Sequence, residues 1–180
     1  MLEISNRFTD RIIFQGAAAS LAALVEEAVL LGVDLSESKL VGISLARAKL
    51  TGARLALADL SGTNLAGADL SEAWLPGVVL VSADLFGACL RKVNLSGANL
   101  SDSNLSRADL AWARLSMANL SEANLTNASL FGANLTGANL FETILEGVNL
   151  TGANLDGASL VGARLSGANL RWVQGIDHDG

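Results

Sequence analysis

Leucine stands at every fifth position from Leu30 to Leu170 without exception. A strict period of five belongs neither to an amphipathic helix, whose face repeats near 3.6 residues, nor to a flat strand, whose face repeats at 2. From Leu35 to Leu170 the chain falls into 28 blocks, and the residue two before leucine is alanine in 19 of them. The other nine are Val33, Ser38, Ile43, Thr63, Val78, Val93, Ser103, Thr143 and Val148, all small or β-branched. Asn or Asp immediately precedes leucine in 16 of the 28 blocks. All 14 glycines from Gly42 to Gly167 fall two residues after a leucine. A position so often glycine points to positive φ, as at the third residue of a type II turn. Between Lys92 and Asn127 that position holds one glycine in eight, which predicts a different turn type and cross-section in the middle of the array.

Blocks such as Ala68-Asp69-Leu70, Ala98-Asn99-Leu100 and Ala138-Asn139-Leu140 resemble the pentapeptide-repeat family, written A(D/N)LXX. The resemblance covers roughly four-fifths of the chain. It implies an all-β fold, a right-handed quadrilateral β-helix in which each block forms one side and four blocks complete a coil. The 28 blocks then give about seven coils, a rod on the order of 34 Å long at an inter-strand spacing of about 4.8 Å. Leucine and the small residue point inward on this scheme, and the other three residues point outward. The pairing makes physical sense, because a narrow lumen holds two inward residues per side only if one is large and one small.

Residues 1–32 lie outside the register and read as an N-terminal cap, followed by the β-helix over 33–173 and a tail at 174–180. Ala17 to Leu31 predicts a helix with Ala17, Leu21, Leu24, Val25, Ala28 and Leu31 on one stripe and Gly32 ending it. Ile4 and the Ile12-Ile13-Phe14 run predict short extended segments, placed to pair with the first coil. An open solenoid end exposes unpaired backbone and bare leucines and has to be covered. At the C-terminal end, Arg171, Trp172 and Val173 are the candidates. Either a second copy covers that coil, giving a homodimer, or Trp172 folds over it.

No catalytic constellation is visible, and neither a cofactor nor a metal is expected. The sole histidine, His178, sits between Asp177 and Asp179, whereas structural metal sites want four well-spaced ligands. Glycines recur for turn reasons rather than as a phosphate loop. The single cysteine, Cys89, excludes an internal disulfide and reads as an outward thiol with no base to activate it. The Ala17–Leu31 stretch carries Glu26 and Glu27, is too short to span a bilayer and lacks a signal-peptide pattern, so no membrane association and a cytoplasmic location are expected.

What remains is a non-enzymatic scaffold for an unknown protein partner. The alternative comes from the family, some members of which imitate DNA and modulate type II topoisomerases such as DNA gyrase. The net charge of −6 divides into −2 in residues 1–29, −2 in the tail and −2 over the repeats, where twelve acidic residues face ten basic ones. That is a thin imitation of a duplex bearing one charge per about 1.7 Å. The chain also lacks the central phenylalanines, loop insertion and C-terminal module of those members. Direct nucleic-acid binding is disfavoured because no face exceeds a net +1, and ice binding because no outward column is regular in threonine.

Residues twenty apart should stack on successive coils. The face of Leu100, Leu120 and Leu140 then carries Asp102, Glu122 and Glu142 in one column, with a net charge of −3 for the whole face. Asn99, Asn119 and Asn139 should form a hydrogen-bond ladder, with Asn104 and Asn124 in another. Outward apolar residues are the stronger interaction candidates. One group is Trp74, Val79, Val81 and Phe86, and a second is Phe131, Phe141, Ile144 and Val161, in which Phe141 and Val161 should be direct neighbours. Trp112 should stack on Lys92 as a cation-π pair.

Overall fold

The computed structural model describes residues 1–175, so the Asp177-His178-Asp179 run lies outside the described residues. From Asp34 onward, most residues that precede a leucine form a parallel bridge to the residue twenty positions on, from Asp34↔Arg54 to Asn154↔Gln174. Twenty residues are four blocks, so four sides close one coil and each coil hydrogen-bonds to the next. At Arg164, the N–H donates to Thr143 O at 2.9 Å and the carbonyl accepts from Leu145 N at 2.8 Å.

The lumen is filled as the block composition requires. Every leucine of the register from Leu35 to Leu155 is at most 1 % exposed, and burying each contributes about 1.5–3 kcal/mol. Polar residues at the small position survive there by bonding backbone: Thr63 Oγ1 donates to Leu60 O at 2.7 Å, Ser103 Oγ to Leu100 O at 2.6 Å and Thr143 Oγ1 to Leu120 O at 2.8 Å. Ser38 Oγ, equally buried, has no partner among the described residues.

From Leu45 onward each corner is a β-turn closed by a bond such as Ala48 N to Leu45 O at 3.0 Å. Positive φ occurs at its third residue and not its second, the combination that among hydrogen-bonded turns defines type II. The expected change of turn type in the middle does not occur. Lys92, Asp102, Arg107, Trp112, Met117, Glu122 and Asn127 hold φ of 57–62° beside Gly97 at 65°. The reason is that the same residue's N–H donates to the next coil, as in Lys92 N to Ala111 O at 2.9 Å and Trp112 N to Phe131 O at 2.8 Å. The ladder fixes the corner whatever side chain stands there, at about 1 kcal/mol or more per non-glycine residue.

Asn and Asp before leucine also have a mechanical role. Their Oδ1 accepts from the backbone N–H two residues on, as at Asn94–Ser96 (3.1 Å) and Asp109–Ala111 (3.0 Å), and so braces the corner. Ser or Thr in the turn adds a second bond to the same oxygen, as Thr126 Oγ1 does to Asn124 at 2.7 Å.

At the N-terminal end β1 (Leu2–Ser5) and β2 (Ile12–Gly16) pair antiparallel with each other rather than separately with the coil. The end of β1 still reaches the first coil, where Lys39 N donates to Ser5 O at 2.8 Å and Asn6 bridges Ser38. The helix α1 spans Leu21–Leu30, four residues shorter at its start than expected, because Ser20 Oγ caps it by accepting from Ala23 N at 3.1 Å. Leu24, Val25 and Ala28 join the leucine core, while Ala17 and Leu31 stay outside the helix and exposed. Glu26 Oε1 accepts Lys49 N at 2.7 Å, satisfying a first-coil donor that has no earlier coil to bond.

The other end differs. Leu160, Leu165 and Leu170, with Ala158, Ala163 and Ala168, are only partly buried. Trp172 is 79 % exposed, so it does not fold over them.

Candidate interaction surface

Since the interior is uniform, any specificity has to come from outward side chains, and the corners project them furthest. Phe141 and Val161 occupy the same corner position on successive coils, joined by the bond from Glu142 N to Val161 O at 2.9 Å. Both are exposed, Val161 to 65 %. Beneath Phe141, Asn139 Oδ1 accepts the Phe141 N–H at 3.1 Å, Asn139 Nδ2 donates to Asn119 at 2.9 Å and Asn119 Nδ2 to Asn99 at 3.1 Å. This expected asparagine ladder is present and braces the corner. The second differs: Asn104 Nδ2 donates to Asp84 at 2.9 Å, while Asn124 Oδ1 braces its own turn.

Asp102, Glu122 and Glu142 lie one residue further round the same corner, all exposed. None of the three is in an ion pair among the described residues. The Glu142 chain leans toward Gly162, where an added Cβ would sit 2.9 Å from Glu142 Cγ. Between Arg114 and Arg164 the sequence has no Lys or Arg, while Glu122, Glu142, Glu146 and Asp156 fall in that stretch. Arg164 offsets only Glu146, with which it pairs. Phe141 and Val161 therefore border an uncompensated acidic edge.

The remaining candidates do not join this strip. Phe131 lies half a coil away and packs edge-on against Trp112, ring centroids 5.2 Å apart at 85°. Trp112 does not meet Lys92 in a cation-π contact; Lys92 Nζ reaches Glu72 at 3.4 Å, and the indole leans the other way, onto Gly132. Trp74, Val79 and Phe86 stand on three consecutive sides, Val79 and Val81 half-buried, and the Arg107 guanidinium covers the Phe86 ring at 5.8 Å. Ile144 is also half-buried. Arg171 and Trp172 are exposed and Val173 is buried at the end of the register.

Sequence reasoning passed over exposed Leu57 and Met117, which occupy the third turn position and were discoverable from the period alone. It also passed over Leu30, Leu31 and Val41 at the N-terminal end. A cleft of about 690 Å³ opens there between α1 and the first coil, lined by Glu26, Glu27, Val29, Leu30, Lys49 and Thr51.

The polar surroundings are structural in character. Asp69 accepts from Ser71 Oγ and, at 3.0 Å, from Thr51 Oγ1, and these bonds hold its carboxyl below the usual carboxylate range. Hydrogen bonding to Asp109 at 2.8 Å holds Arg91 above its ordinary value. Cys89 is half-buried, its Sγ 3.6 Å from Ser71 Oγ. No group of three or more potential metal ligands occurs among the described residues, and none of their helices is long and apolar enough to cross a membrane.

Solved structures similar to this chain include Rfr23, a pentapeptide repeat protein from the cyanobacterium Cyanothece 51142, at 37 % identity over 59 % of this chain and 66 % of that one, TM-score 0.39. The chain thus spans just under two thirds of the length of Rfr23. Another is alr5209, a pentapeptide repeat protein from Nostoc Pcc 7120, at 34 % identity over 52 % and 77 % of the two chains, TM-score 0.46. QnrB1, a plasmid-mediated fluoroquinolone resistance protein, is 18 % identical over 78 % and 91 %, TM-score 0.39. No curated protein sequence matches. The family model for pentapeptide repeats matches residues 28–67, 63–102, 103–140 and 133–171. The chain belongs to the pentapeptide-repeat family, and its solenoid is the right-handed β-helix of that family.

Proposed function

We propose that this chain is a non-enzymatic scaffold, a rod of about seven coils capped at its N-terminal end by the hairpin and α1, that docks a protein partner in the cytoplasm. The observation that carries this reading is the exposed Phe141–Val161 pair beside Asp102, Glu122 and Glu142. An apolar anchor rimmed by charge is how interaction surfaces combine affinity with orientation. The partner segment that fits has an apolar side chain flanked by Lys or Arg. Its binding should weaken with salt, because the carboxylates are solvent-exposed. The test is capture of partners by immobilised protein, comparing wild type with Phe141→Ser and Glu122→Lys/Glu142→Lys, and with Trp74→Ser as a control on another side. Partners lost with the first two variants and kept with the third support the strip. Partners kept by all three variants contradict it.

Imitation of DNA toward a type II topoisomerase is the second reading. Its only support here is an acidic face of net −3, on a rod whose remaining sides are near neutral. Absence of both inhibition and protection of gyrase supercoiling at micromolar protein removes it.

A further inference from the structure

We propose that the side of the rod carrying Trp74, Asn94 and Arg114 binds an extended proline-rich segment of a protein partner. A proline lies on the Trp74 indole, and a carboxylate three residues along meets the Arg114 guanidinium. The three residues stand in one column on successive coils, joined by the bridges Trp74↔Asn94 and Asn94↔Arg114. All three tryptophans of the chain lie on this side or on the corner that opens it, where Trp112 and Trp172 share one column. Leu57 and Met117 share a column on the corner that closes it, and all five of these apolar side chains are exposed. Tryptophan, methionine and arginine are enriched at the centres of interfaces.

The hydrogen-bonding groups of the column specify what fits. Asn94 Oδ1 is occupied, accepting from Ser96 N at 3.1 Å and from Ser96 Oγ at 2.8 Å. In the asparagine ladder Nδ2 donates to the preceding coil, as Asn119 does to Asn99 at 3.1 Å. The preceding coil here offers Trp74, whose indole N–H is itself only a donor. Asn94 is 7 % exposed, the one buried asparagine among those that precede a leucine, and its Nδ2 has no hydrogen-bond partner among the described residues. Arg114, on the following coil, is exposed, is in no ion pair among the described residues, and can only donate. The column therefore presents indole, amide and guanidinium N–H groups in succession, with its one side-chain acceptor already taken. A ligand has to bring carbonyl and carboxylate oxygens to these donors and an apolar surface to the rings.

Spacing selects the conformation of that ligand. Trp74 and Arg114 are two rungs apart, about 9.6 Å at an inter-strand spacing of about 4.8 Å. A polyproline II chain repeats every three residues, about 9.3 Å, and makes no internal hydrogen bonds, so its carbonyls are free to accept. Two turns of α-helix advance about 10.8 Å and use the interior carbonyls internally, while side chains on one face of a strand recur at about 6.6 Å. A strand also finds no edge to join, since Asn94 N already donates to Ala73 O at 2.9 Å and Asn94 O accepts from Leu75 N at 2.8 Å. Proline rings packing on exposed aromatic side chains are the recognition mode that remains.

Calorimetric titration of the full chain with a blocked polyproline peptide carrying one central glutamate tests the proposal. Wild type should bind it at least tenfold more tightly than the same peptide with lysine in place of glutamate, and Trp74→Ala should bind it at least tenfold more weakly than wild type does. Arg114→Glu should reverse the preference and take the lysine peptide over the glutamate one, a gain that an unfolded variant does not show. Phe141→Ser, at a corner this side does not border, should bind like wild type, which separates this side from the Phe141–Val161 strip. No binding by wild type up to millimolar peptide overturns the proposal. So does equal binding of the glutamate and lysine peptides, or of a glutamate peptide in which glycine and serine replace the prolines. A Trp74→Ala variant that binds like wild type, or a Phe141→Ser variant that does not bind, overturns it as well.

Discussion

The indole of Trp112 lies against Gly132, the residue twenty positions on, so closely that a Cβ built on the glycine would stand 2.6 Å from the ring. Gly97 holds the same backbone conformation, at φ 65° against 63°, with nothing within 4 Å of the added atom. The pair separates two costs of leaving glycine. Gly97→Ala should lose about 1 kcal/mol from backbone strain alone, and Gly132→Ala a further 1–3 kcal/mol, roughly, from overpacking. Urea denaturation measures both. In a Trp112→Ala background the excess should vanish, which a double-mutant cycle reads directly.

Leu100→Ala empties one lumen position that is fully buried and should cost about 2–5 kcal/mol. Because each coil touches only its neighbours, the damage should remain local. Hydrogen exchange should show lost protection in the coils next to Leu100 and little change near Leu40 or Leu155.

Ser38 Oγ is buried without a partner, whereas Thr63 Oγ1 in the same inward position bonds Leu60 O at 2.7 Å. Ser38→Ala should therefore stabilise by about 1 kcal/mol, and Thr63→Ala should destabilise by about 1 kcal/mol. Thermal melts of the two variants should move in opposite directions.

Asp69 has a folded-state pKa below its unfolded value, chiefly through the Ser71 hydroxyl and backbone N–H, with Thr51 assisting. A depressed carboxylate contributes stability that is present above the unfolded pKa, about 3.9, and is lost as pH falls through the folded value. Asp69→Asn should lower the melting temperature near neutrality, where the ionised carboxylate contributes, and flatten its fall below about pH 4. An identical acid slope in wild type and variant would remove Asp69 from the account.

Much of this fold is legible in the sequence because one rule is applied at every rung. The period of five gives the corners, and the alternation of leucine with a small residue gives the lumen. The turn at Lys92, Trp112 and Glu122 is misread when composition is taken as conformation: glycine there is a preference, while the inter-coil bond from the same N–H is the constraint. Trp112 is misassigned for a related reason, since stacking twenty apart says which residues are neighbours and not which way a side chain leans. The start of α1 is set by Ser20, a cap that an apolar stripe does not reveal. Phe141 and Val161 are legible as neighbours because both rungs and both outward positions follow from the register. Phe131 lies away from them because ten residues are two sides of a coil, and on its own corner it packs against Trp112, nineteen residues earlier.

The central claim is that recognition resides in the Phe141–Val161 strip and its acidic border. The most direct test is the affinity of a partner captured by the wild-type chain for wild type, Phe141→Ser, Glu122→Lys/Glu142→Lys and Trp74→Ser, each checked for folding by circular dichroism. Phe141→Ser should weaken binding at least tenfold, the charge reversal should weaken it most at low salt, and Trp74→Ser should leave it unchanged. Equal affinity for wild type, Phe141→Ser and the charge reversal would contradict the account.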